Sequence, residues 1–520
     1  MLGRRRGERR LLDREVRRHL ADVGGRSVVV DGSQPADELF LDLATGAPCG
    51  VLVVDVAARE WPGLLARLLW HVRPGGALVF RGGEGRTADP LVQRLRTLDA
   101  IRAGERAPLA ARRKGDDVRA LAAAIGGWRE AGPHVVVTST ARALAKLREE
   151  QTDRLLAAGR LRGQVLASVP AATFTARCSV AQTDSAVRHA EVREITAPAM
   201  ALRAYDDVVC APRQVVVHDD VLLPDTFRRS HRHRLRSAAL VDLAPDFASV
   251  RAALDDPAPL AGTWVHLDSE YPGHFGHLLT EQLSRMWAWP RILEEEPRPR
   301  VLLSTRTPRT ALHAFERDVL GAFGVAEDDV VIIDRPVRVE RLLSATPMLA
   351  QPGWVHPGIA DAWRHAGAAL AAGAAERAWP RRIFCARRGD KRACRNAAEV
   401  EALFADEGFA VVHPEELALA EQAALFRAAD VVAGYAGAAM FNLCWTDAPK
   451  DVVLLVPESY TAENEYLMAA VQGHRLSIMW CPSDVALPEV GFSAEAYQAS
   501  YTADLVKDGA WLRSRLRWLG

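Results

Sequence analysis

Three stretches of the 520-residue chain place chemically capable residues at telling spacings. In YPGHFGHLLTEQLSRMW, residues 271–287, His277, Glu281 and Arg285 recur every four residues, and His274 stands three before the first of them. Residues four apart share one face of a helix, so the spacing predicts a helix with an ionisable row. An imidazole followed one turn later by a carboxylate can accept a proton from a hydroxyl, because histidine titrates near working pH and the carboxylate can orient it. Leu279, Leu283, Met286 and Trp287 recur on a second face at the spacing of a core. In RRIFCARRGDKRACRN, residues 381–396, a short strand runs into Arg387, Arg388, Lys391 and Arg392. Cations at a strand's carboxyl end suit a polyphosphate or a carboxylate, although an ion-paired surface loop would use the same residues.

The third stretch is DVVAGYAGAAMFN, residues 430–442. The small residues Ala436, Gly437, Ala438 and Ala439 let a helix start directly after the strand. Its first N–H groups would then face the crevice, where bare amides and the helix dipole attract a pyrophosphate. Close packing of helix on strand asks for the same small residues. In open parallel sheets ligands lie beyond the carboxyl ends of the strands, so the second and third stretches together imply a nucleotide diphosphate site.

The elements that must position these residues follow from the alternation of apolar runs and helical stretches. Residues 1–165 read as a Rossmann-like accessory domain, with strands in SVVVDG, GVLVVDV and ALVFRGG and a later strand VVVTS. Residues 84–119 read as a polar, arginine-rich excursion from it. The piece WHVRPGGALVF resembles the late part of S-adenosylmethionine-dependent methyltransferases. After the first strand, however, comes SQPADE and not a glycine-rich loop, so the backbone cannot wrap a cofactor closely. Residues 166–375 form a second α/β domain that begins with short strands, 376–495 a doubly wound parallel domain, and 496–520 a terminal amphipathic helix. The arginines between Arg228 and Arg236 read as a solvated loop, and His231 and His233 lack a third metal ligand at a sensible spacing.

Taken in order, GHFGHLLTEQLSRMW, RRIFCARRGDKRACRNAAEVEALF and EELALAEQAALFRAADVVAGYAGAAMFNLCW resemble glycosyltransferase family 61, over about residues 190–480. The resemblance implies two facing Rossmann-like domains, the GT-B arrangement, and sugar transfer from a nucleotide donor. It places His277 and Glu281 as catalytic residues and His274 and Arg285 on the acceptor side. Donor binding falls to Arg387, Arg388, Arg392, Asn396, Gln422, Gly437, Ala438 and Asn442. Two of the motifs depart from the family pattern. His274 stands where asparagine is usual, and Ala436 and Ala439 replace the histidine and second glycine of H-G-A-G. An active transferase, a catalytically impaired sugar-nucleotide-binding scaffold and a methyltransferase–glycosyltransferase fusion all remain open at this point.

Composition narrows the classes further. With 66 basic and 66 acidic residues the net charge is zero, so no global field recruits nucleic acid. Seven scattered cysteines without a C-x-x-C pair argue against a disulfide framework or a structural zinc site. No D-x-D stands out, so metal-free stabilisation of the leaving diphosphate by arginines is the economical expectation. No cofactor is expected beyond the nucleotide-sugar donor, and the partner is a glycan or glycoconjugate acceptor, as in bacterial polysaccharide biosynthesis. The N-terminus has charge but no apolar core of a secretory signal. A cytoplasmic protein is expected, and its basic N-terminus is compatible with peripheral attachment to the inner face of a membrane.

Overall fold

The computed structural model describes residues 2–82, 88–107, 112–190, 193–489 and 491–519. The chain is α/β with mixed sheets and forms two compact units, neither continuous in sequence. Unit 1 comprises Met1–Gln164, Tyr205–Leu260 and Arg335–Glu340; unit 2 comprises Val165–Ala204, Ala261–Asp334 and Arg341–Gly520. No described helix is long and apolar enough to cross a membrane.

In unit 1 the valine-rich runs pair as parallel strands Arg26–Val30, Cys49–Val54 and Val72–Phe80, the middle one buried along its whole length. The strand His134–Ser139 then joins antiparallel to Val72–Phe80, with Ile125–Ala131 antiparallel at the edge. The glycine loop missing after the first strand is replaced by a tight turn in which Asp31 accepts bonds from the Ser33 N–H and hydroxyl. The arginine-rich excursion is a correction to the sequence reading. It contains the helices Asp89–Arg102 and Arg112–Ala124, because Leu91, Val92, Leu95 and Leu98 form a buried stripe; residues 83–87 and 108–111 lie outside the described residues. The arginine cluster is tied down by Arg234, which pairs with both Asp117 and Asp242.

Unit 2 contains strand β1 (Ser179–Gln182), then β2 (Ala258–His266) from Ala261 onward, β3 (Arg300–Ser304) and β4 (Val330–Ile333). The last three are mutually parallel neighbours. Further along come helix α1 (Ile359–Ala372), β5 (Arg382–Cys385), α2 (Ala397–Asp406), β6 (Ala410–Val412), α3 (Leu419–Ala428), β7 (Val431–Tyr435), β8 (Asp451–Pro457), α4 (Asn464–Gln472) and β9 (Arg475–Cys481). These strands form a parallel sheet in the order β6-β5-β7-β8-β9-β1, so a strand from far upstream closes one edge. The winding reverses between β5 and β7. Loops leaving their carboxyl ends therefore part to opposite faces and open a crevice, the usual ligand position in such sheets.

The segment after β2 departs from the single regular helix expected of it. Phe275–His277 form one α-helical turn, Leu278–Gln282 a π-helical turn and Leu283–Ala288 a 3₁₀ stretch, before a short α-helix Trp289–Glu295. Leu279, Leu283 and Met286 are buried as expected, in one core with Trp363, Phe441, Leu443 and Trp445. Trp287 is half-buried, and its indole N–H donates to the Thr346 carbonyl at 2.9 Å.

Candidate functional site

At the crevice between β5 and β7, Arg387 leaves β5 and turns its guanidinium across to the loop after β7. Nη2 donates to the Ala436 carbonyl at 2.9 Å and Nη1 to the Lys391 carbonyl at 3.2 Å. Gly437 has φ +142°, and a Cβ there would sit 2.1 Å from Arg387 Nη2. Glycine at this position is therefore what lets the arginine cross. Arg392, 8% exposed, is the second cation. Its guanidinium carbon lies 4.9 Å and 5.0 Å from the ring centroids of Tyr460 and Tyr497. Its Nε and Nη1 have no hydrogen-bond partner among the described residues. A buried guanidinium without partners is costly unless something anionic reaches it.

The counter-charge is Glu465 at the start of α4, 3% exposed. Its Oε1 accepts the Gly437 N–H at 2.6 Å, and its Oε2 lies 3.4 Å from the Tyr460 hydroxyl. Burial raises this carboxyl to about 7, against the opposing pull of the Gly437 N–H, Arg392 and Arg387. Two guanidiniums thus face one half-ionised carboxyl, and the local balance stays positive.

The ionisable row of His277 and Glu281 sits beside them. Asp268 and Ser269 follow strand β2; Asp268 accepts from the Ser304 N–H and hydroxyl and so locks this loop to β3. The Ser269 hydroxyl donates to Glu281 Oε2 at 2.9 Å, and Glu281 Oε1 is 2.6 Å from His277 Nδ1. A carboxylate at Nδ1 fixes the proton there and leaves Nε2 as the basic nitrogen. The imidazole is held by Tyr271, stacked with centroids 4.7 Å apart, and by an edge contact to His274 at 4.8 Å. His274 keeps an open face to solvent, yet the surrounding protein, His277 and then Lys391 push it down to about 4. It is neutral at physiological pH.

The two motifs are neighbours. A Cβ on Gly276 would lie 3.1 Å from the Phe441 ring and 3.4 Å from Ala438 Cβ, and Lys391 is near enough to act on His274. His274, His277 and Glu281 thus come together with Arg387, Arg392, Gly437 and Ala438. The remaining sequence candidates lie elsewhere. Arg285 is 3% exposed and donates to His266 Nδ1 at 3.1 Å, inside the core. Arg285 lies in the 3₁₀ stretch that follows the π-turn, so the winding changes between it and Glu281 and the four-residue row is not continued. Arg388 is exposed and paired with Glu416 at 2.9 Å. Asn396 holds the backbone of Ala503 through both its amide atoms, at 2.9 and 3.0 Å. Asn442 bonds Gln422 at 2.9 Å and the Trp445 indole at 2.8 Å, and is fully buried. The element after β7 is the 3₁₀ helix Ala438–Trp445, and the Gly437 N–H just before it is taken by Glu465.

Sequence reasoning missed Glu465, Tyr460, Tyr497 and Ser269. For Glu465 a signal existed: NEYLMAAV has an acid inside an otherwise core-like run, where a carboxylate needs a partner. The tyrosines carried none, because their role depends on packing between segments distant in sequence.

Residues 275–454 match the family model of Glycosyltransferase 61. Comparison with curated proteins gave no match. The matched span begins at the turn carrying His277 and ends in β8, so it contains His277 and Glu281, both guanidiniums and the Gly437 loop. Over that span, roughly a third of the chain, the sequence is similar to glycosyltransferase family 61.

Proposed function

We propose that the protein transfers a sugar from a nucleotide-diphosphate sugar to a hydroxyl of a glycan or glycoconjugate, with inversion at the anomeric carbon, in polysaccharide assembly. The two α/β halves of unit 2 act as the facing domains of a GT-B enzyme. The observation that carries this reading is the approach of the turn bearing a Glu281-oriented His277 to the loop bearing Gly437 and Ala438, beside the half-buried Arg387 and the buried Arg392. The acceptor oxygen forms a bond to the anomeric carbon as the bond to the diphosphate oxygen breaks. The acceptor proton passes to His277 Nε2, and Glu281 stabilises the imidazolium. Arg387 and Arg392 meet the charge that develops on the leaving diphosphate. His274, neutral, hydrogen-bonds the acceptor without repelling His277 when that ring is charged.

A panel of nucleotide sugars, followed by nucleoside-diphosphate release with glycan acceptors, gives the assay. His277→Ala is expected to lower transfer about 100-fold or more while nucleoside-diphosphate affinity stays within about two-fold. Near wild-type transfer in this variant would sink the assignment of the base. A second reading, a sugar-nucleotide-binding scaffold, is favoured by one feature: Ala436 stands in the family's histidine position, 2% exposed, and offers only its carbonyl to Arg387. Binding without turnover across the panel would select it.

A further inference from the structure

Unit 1 contains a cavity of about 450 Å3, within the size range of small-molecule sites. It lies outside the span that matches the family. Gly46 and Pro48 lead into the strand Cys49–Val54, and Val72, Arg73 and Pro74 open the strand Val72–Phe80. The cavity is therefore at the amino-terminal edge of the parallel strands, opposite the edge where such sheets take nucleotide cofactors. Its inner wall is aromatic. Trp70 and Phe247 stack with centroids 6.4 Å apart, and the His71 ring meets Phe247 edge-on at 4.8 Å and Phe40 at 5.6 Å. Trp70 N–H is already used by the Ala66 carbonyl, so that ring offers only an apolar face.

Neither ring nitrogen of His71 has a hydrogen-bond partner among the described residues. Burial, with Arg26 and Arg67 nearby, pushes this imidazole down to about 3, so it is neutral and offers one donor and one acceptor. The rim is cationic. Arg73 has no ion pair among the described residues, and Arg142 reaches Asp255 only at 3.8 Å with both side chains exposed. Arg26 binds the carbonyls of Ala47 and Asp42, leaving its charge without a carboxylate. Asp220 is the one acidic residue in the lining.

We propose that this cavity binds a small amphiphilic anion, an aromatic ring bearing one acidic group, with the ring on Trp70 and Phe247, the anion toward Arg73 and Arg142, and His71 as the hydrogen-bonding contact. The probe is 1-anilinonaphthalene-8-sulfonate titrated into the full chain, with its neutral analogue N-phenyl-1-naphthylamine as the comparison. One saturable site per chain is expected, at least ten-fold weaker for the neutral probe. Arg73→Glu, on the exposed rim, is expected to weaken the anionic probe at least five-fold, and Ala143→Trp, which fills the space, to abolish it. Thermal melting of both variants controls for folding, and the rim variant decides alone if Ala143→Trp fails to fold. Absence of a saturable site would overturn the proposal, as would affinity within two-fold of wild type in Arg73→Glu or equal binding of the neutral probe.

Discussion

Glu465 offers the sharpest physical test of the crevice. The carboxyl is 3% exposed and burial holds it at about 7 instead of its ordinary 4.5. A folded-state value above the unfolded one means the folded protein binds the proton more tightly. The associated stability is complete below pH 4.5 and is lost as the pH rises through about 7. At about 1.4 kcal/mol per tenfold change in proton affinity, that loss is about 3 kcal/mol. Glu465→Gln removes the titration and keeps a carbonyl oxygen for the Gly437 N–H. Urea denaturation of both proteins from pH 4.5 to 8, followed by tryptophan fluorescence, compares the two. The wild type should fall relative to the variant by about 3 kcal/mol across that range, mostly between pH 5 and 7.5. Parallel profiles, within about 0.5 kcal/mol, would refute the claim that the carboxyl is desolvated and only half-compensated by Arg387 and Arg392.

Two further substitutions separate scaffold from binding site. Asn442→Ala removes the partner of Gln422 and of the Trp445 indole, and should cost about 2–4 kcal/mol in denaturation while leaving nucleoside-diphosphate affinity unchanged by calorimetry. Gly437→Ala puts a methyl group 2.1 Å from Arg387 Nη2 on a backbone at φ +142°; nucleoside-diphosphate affinity should drop about ten-fold.

What could be read from the sequence divides along a physical line. Parallel strands such as β7 and β8 announce themselves, since burial on both faces demands unbroken apolar runs. His277 and Glu281 could be paired because a four-residue spacing makes neighbours on almost any right-handed helical turn. Arg285 could not, because the winding changes from π to 3₁₀ between Glu281 and Arg285, and no residue spacing announces that change. Asn396 and Asn442 look alike as polar residues near small ones, but one binds the Ala503 backbone and the other a tryptophan in the core. Those partners lie in other parts of the chain and leave no local trace. The strand β1, joined to β9 across nearly 300 residues, is hidden for the same reason: pairing between distant segments has no period to detect.

The π-turn at Leu278–Gln282 has a genetic consequence. Such a turn contains one residue more than the α-helical turn it replaces. Deleting a single codon there would restore regular winding and swing His274 and His277 by about 100° relative to Leu283 and Met286. The ionisable row and the core face are registered against each other by one amino acid. In a lineage of such chains, one in-frame deletion at Thr280 or Gln282 would be enough to shift that register, with His274, His277, Glu281 and the core leucines all still present in the sequence.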